Sequence, residues 1–161
     1  MKAVILTTVM TLFSLSLVAQ KQDLREMGTQ QRNEYLIKLA KEVAHQFGPE
    51  WCDKGKLIAQ VDDTLAVFKV YGEERPEVKK NEGRLYHRVT LNYDNATRQK
   101  IGWKYAAIVL TWADDGEPFG VVFGNNYGTN FYAISYREWL KTGVRKEDQS
   151  KYEEMDLDTP L

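Results

Sequence analysis

The chain is predicted to be an α+β protein: an N-terminal amphipathic helix packed on a mainly antiparallel meander sheet of about four to five strands, followed by a short C-terminal helix. Three observations predict this class. Apolar residues recur at threes and fours from Thr29 to Phe47. After Thr64 the period falls to two, and β-branched and aromatic residues become frequent. Asp115-Gly116 then sits between two strong strand runs, where a tight hairpin belongs.

The first nineteen residues are expected to be a cleaved export signal, because Met1-Lys2 precedes an apolar run that closes on the small residue Ala19. The run is broken by Thr7, Thr8, Thr11, Ser14 and Ser16, which argues against a stable membrane anchor. A cut after Ala19 leaves about 140 of the 161 residues, enough for one domain with a real core, expected over residues 20–145. No cysteine stands at the cut for acylation, so the expected location is periplasmic or secreted. Cys52 is the only cysteine, which excludes an intrachain disulfide. Acidic and basic residues nearly balance, which argues against nucleic acid as a partner.

In the predicted helix Tyr35, Leu36, Leu39, Ala40, Val43, Ala44 and Phe47 form one face. Thr29 is expected to cap its start, and Gly48-Pro49 to end it with a left-handed residue followed by a helix breaker. Residues 50–63 read as a connector with a short strand at Leu57-Ile58-Ala59. Strands are expected at Thr64–Tyr71, Arg84–Tyr93, Trp103–Ala113, Pro118–Gly124 and Asn130–Ile134, with Asp115-Gly116 as a type I′ turn. A charged loop lies between Gly72 and Gly83, and Asn125–Gly128 forms another turn. Ser135 and Glu138 fit a capping box that starts a helix from Tyr136 to Lys141. Residues 146–161 are expected to be a flexible acidic tail. The layer arrangement resembles the cystatin-like and NTF2-like rolls in architecture alone, so no functional residue is carried over from them. Gly120 and Gly124, with Ala40 and Ala44, are expected to allow close approach where helix crosses sheet.

No catalytic residue, metal ligand or cofactor is assigned. Cys52 is a nucleophile only if His45 or His87 lies beside it, and a lone Cys among aromatics reads first as a small buried residue. His87 alternates with Leu85, Val89 and Leu91, so it interrupts an apolar face. It is either a satisfied core histidine or the polar floor of a pocket. Two histidines more than forty residues apart make a poor zinc set. Asp114, Asp115 and Glu117 read as solvated turn carboxylates, with Asp114 and Asp115 available as an acidic rim. Asn95-Ala96-Thr97 matches a glycosylation sequon.

The stretch with Asn125, Asn126, Tyr127, Phe131 and Tyr132 combines amides and aromatic rings, the side chains that recognition surfaces favour. These features point to an exported protein that binds and occludes another protein, as an immunity-type or hydrolase-inhibitor protein does. The alternative is a small-ligand pocket between helix and sheet, centred on His87.

Overall fold

The computed structural model describes residues 21–72, 74–142 and 153–154. The expected leader at residues 1–19 and, apart from 153–154, the expected tail at 146–161 lie outside the described residues. Helix α1 runs from Thr29 to Phe47 with Leu36, Leu39, Ala40, Val43, Ala44 and Phe47 buried, the face that its periodicity selects. Gly28, not Thr29, is the N-cap, and no side chain caps this end. At the other end Gly48 is extended (φ −78°), because the proline after it excludes the helical region.

Glycine is nonetheless required at 48 for space: an added Cβ would lie 2.3 Å from the Ala44 carbonyl oxygen and 2.9 Å from Cys52 Sγ. Gly48→Ala is therefore expected to cost about 1–3 kcal/mol, as overpacking usually does. Thermal unfolding checks this, and an unchanged midpoint would rule the clash out.

The strands are β1 (Leu57–Val61), β2 (Ala66–Val67), β3 (Leu85–Tyr93), β4 (Tyr105–Trp112), β5 (Pro118–Phe123), β6 (Tyr127–Asn130) and β7 (Glu153–Glu154). They form one antiparallel sheet in the order β1-β3-β4-β5-β6-β7, with β2 also beside β3. The α+β class with a meander sheet is thus the observed one. Several local expectations are corrected. The strand expected at Thr64–Tyr71 shrinks to β2, because β3 begins at Leu85, so residues 68–71 run past its end, while residues 62–65 take up the two-residue change of register between β1 and β2. The strand expected at Asn130–Ile134 is displaced toward the turn: β6 starts at Tyr127, because the Asn125-Asn126 turn is tight enough for pairing to resume there with Asn126 at φ +67°, and it ends at Asn130, residues 131–134 being outside the sheet. The charged loop holds the one-turn helix α2 (Pro76–Lys79), and the sequon opens helix α3 (Asn95–Ile101). Helix α4 (Tyr136–Thr142) starts with the expected capping box, Glu138 N–H donating to Ser135 Oγ at 3.4 Å and Ser135 N–H to Glu138 Oε2 at 3.2 Å. Where a loose tail is expected, β7 pairs with Tyr127 and Gly128.

The sheet is buried on both faces. On one, α1 covers a core of Val89, Leu91, Val109, Val121 and Phe123. On the other, Phe68, Val78, Tyr86, Leu110, Trp112 and Phe119 make a second, mainly aromatic core. Thr111 pairs with Pro118 and Leu110 with Gly120, so Phe119 is an extra residue in β5. This bulge turns its ring onto the second core, where it stacks on Trp112 with centroids 3.7 Å apart. Gly120 faces Leu110 on that same side, and Gly124 lies against the Tyr105 carbonyl, so neither marks the helix crossing. Ala40 and Ala44 do sit in the α1 core.

Candidate functional site: a cleft at the hairpin end

The β4–β5 connection is longer than a two-residue turn. Trp112 N–H donates to the Glu117 carbonyl at 2.9 Å, and Gly116 N–H to the Trp112 carbonyl at 3.1 Å. Gly116 takes positive φ (+67°) but Asp115 does not, so the type I′ expectation is replaced by a wider loop closed by one left-handed glycine. Asp115 Oδ1 accepts from Glu117 N–H at 3.0 Å and steadies the loop. The segment before α1 is pinned to it, Gln22 N–H donating to the Asp115 carbonyl at 3.1 Å and Leu24 N–H to the Ala113 carbonyl at 2.8 Å.

Beside this loop lies a cleft of about 400 Å³. Trp112, Phe119, Phe131 and Tyr132 line it with the hairpin, while Arg137 and Lys141 reach it from α4. Lys80, at the end of α2, and Lys21 complete the basic side. The acidic groups of the cleft are already engaged. Asp115 meets Arg84 at 3.2 Å, Glu117 Oε1 pairs with Arg137 Nε, and Glu138 serves the capping box. By contrast, Lys21, Lys80 and Lys141 have no carboxylate within 4.0 Å among the described residues. The cleft therefore offers three ammonium groups, from three separate segments of the chain, to an anionic group that enters beside aromatic rings.

Glu117 stands behind this basic rim. It is buried, its Oε2 has no hydrogen-bond partner among the described residues, and burial raises its pKa against the opposing pull of Arg137 and Lys21. Burial also raises the Tyr132 pKa, which keeps that phenol neutral.

The residues singled out in sequence do not converge on one surface. Phe131 and Tyr132 line the cleft, but Phe131 is 5% exposed and packs edge-on against Phe47, while Tyr132 packs against Phe68. Asp114 and Asp115 share Arg84 at 2.5 and 3.2 Å, so their charge is met within the fold. Asn125, Asn126 and Tyr127 lie at the far end of β5, about 17–20 Å along the strand. Cys52 is buried and its thiol donates to the Ala106 carbonyl at 3.4 Å. His45 is exposed and faces Asp53 at 3.0 Å instead.

His87 is buried between helix and sheet, and burial and the Arg32 charge both lower its pKa. Its Nε2 has no partner among the described residues, and it lines neither the cleft nor the cavity of about 20 Å³ beneath Tyr35 and Leu39. Among the described residues no group of three His, Cys, Asp or Glu side chains could hold a metal, and no helix is long and apolar enough to cross a membrane.

Lys21, Lys80, Arg137 and Lys141 are missed in sequence because nothing local joins positions so far apart; only the fold brings them to one cleft. Compared with known proteins, the chain matches no family model, no curated protein and no solved structure.

Proposed function

We propose that this is an exported binding protein that occludes another protein by taking an acidic segment of it into the hairpin-end cleft. The observation that carries the reading is the arrangement of Lys21, Lys80 and Lys141 around aromatic rings, with the carboxylates of the cleft already engaged. Cationic rims of this kind steer an acidic partner and set its orientation, and the half-buried Tyr132 ring offers apolar contact beside them, with Trp112, Phe119 and Phe131 buried behind it. A contact of about 800 Å² per partner would extend beyond the cleft onto the exposed Asp114 side and Ala133. A pocket between helix and sheet centred on His87 has less support, since the cavity lined by α1 has room for about one water molecule.

The test is retention of proteins from culture fluid and lysate by the immobilised protein, compared with a Lys80→Glu/Lys141→Glu variant. One stoichiometric partner is expected, bound at least about tenfold more weakly by the variant and more weakly still at high salt. A partner held equally by both proteins would move the contact elsewhere. Retention of no protein, with an anionic small molecule bound instead, would replace the protein partner with a ligand.

A further inference from the structure

The outer edge of β1 is open and its polarity is complementary to itself. Asp62 N–H donates to the Arg88 carbonyl at 3.0 Å and Asp94 N–H to the Lys56 carbonyl at 3.1 Å, so the β1–β3 ladder continues one residue past each end of β1. In an antiparallel ladder these two bonds fix the phase: residues 56, 58, 60 and 62 spend their backbone groups on β3. The amides and carbonyls of Leu57, Ala59 and Val61 therefore point outward, and no strand among the described residues pairs with them. Apolar side chains gather along the same border. Ile58 is 51% exposed, and Leu65, Val67 and Tyr71, in and around β2, are exposed as well. Such an edge is a template for another strand.

We propose that the protein associates with a second copy of itself by antiparallel pairing of β1 with β1 about a two-fold axis at Ala59. In that register the outward backbone groups of Leu57 meet those of Val61 in the second copy, and Ala59 meets Ala59, so every outward donor finds an acceptor. On the helix side of the sheet Leu57 then lies opposite Val61. On the other side Ile58 lies opposite Gln60, and Lys56 lies opposite Asp62 twice over. Neither Lys56 nor Asp62 has an ion-pair partner within 4.0 Å among the described residues, so both charges remain available. The pairing joins the two sheets into one and does not depend on the cleft.

Sedimentation equilibrium on the purified protein tests it. At about 100 μM a micromolar dimer is well populated, so a doubled mass is expected. Lys56→Glu sets two carboxylates opposite each other at two places and is expected to weaken the dimer at least about tenfold. Adding Asp62→Lys to that variant reverses both pairs and is expected to restore the dimer, which separates a lost contact from a lost fold. A monomer at this concentration overturns the proposal, as does a dimer indifferent to Lys56→Glu or one that the charge swap fails to restore.

Discussion

Phe119→Ala is expected to cost about 3–5 kcal/mol of folding stability, the range for truncating a buried aromatic side chain. The ring is 2% exposed and lies at the centre of the second core, stacked on Trp112 and set against Tyr86 at 5.3 Å, Phe68 at 5.7 Å and Tyr132 at 5.9 Å. Little can collapse into the space it leaves, because Trp112 is held on its other side by Arg84, whose guanidinium carbon is 4.1 Å from the ring centroid. The bulge adds a second reason. It exists to turn Phe119 onto this face, and without the ring the irregular register between β4 and β5 loses its purpose. Phe119→Leu fills more of the volume and is expected to cost less than the alanine variant. Urea unfolding checks both, and a loss below about 1 kcal/mol for the alanine would show that the second core is not cooperative with the first.

The helix, the order of the long strands and the α1 core are legible in sequence because each rests on a period repeated several times. Leu36, Leu39, Ala40, Val43, Ala44 and Phe47 could not share a face in any other conformation. The second core is less legible. Tyr86 falls on the strand face that alternation assigns to Arg88, Thr90 and Asn92, the side on which Trp112 lies opposite it, and Phe119 changes sides through a bulge that no residue type announces. A signal was nevertheless present: Ile108 to Trp112 and Pro118 to Phe123 are nearly unbroken apolar runs, the mark of strands covered on both faces. Helix α3 hides for the opposite reason. It buries no residue and so has no periodicity to read, although its ends are marked by Asp94, which accepts from Thr97 N–H at 2.8 Å, and by Gly102 at φ +87°. The cleft is the least legible feature, since Lys21, Lys80 and Lys141 become neighbours only through the hairpin, α2 and α4.

Arg137→Met is expected to cost about 3–5 kcal/mol near neutral pH, because it leaves the buried Glu117 carboxylate without its ion-pair partner. The cost should depend on pH in a defined direction. Burial already raises the folded-state pKa of Glu117 above its ordinary value, and Arg137 works against that rise. A carboxyl with a raised folded pKa binds its proton more tightly in the folded than in the unfolded chain. Its contribution to stability is therefore complete below the ordinary carboxylate pKa, about 4.3, and is lost as pH climbs through the folded value. Removing Arg137 raises that value further and widens the window of loss. The difference between variant and parent should accordingly be largest at neutral pH and shrink toward the cost of lost packing below about pH 4. Glu117→Gln in the Arg137→Met background should recover most of the neutral-pH loss, since an amide takes no charge out of water. Urea unfolding of the three proteins at both pH values decides the matter. A loss that stays constant with pH would assign Arg137 to packing against Tyr35 and Tyr136 rather than to neutralising Glu117 beneath the cleft.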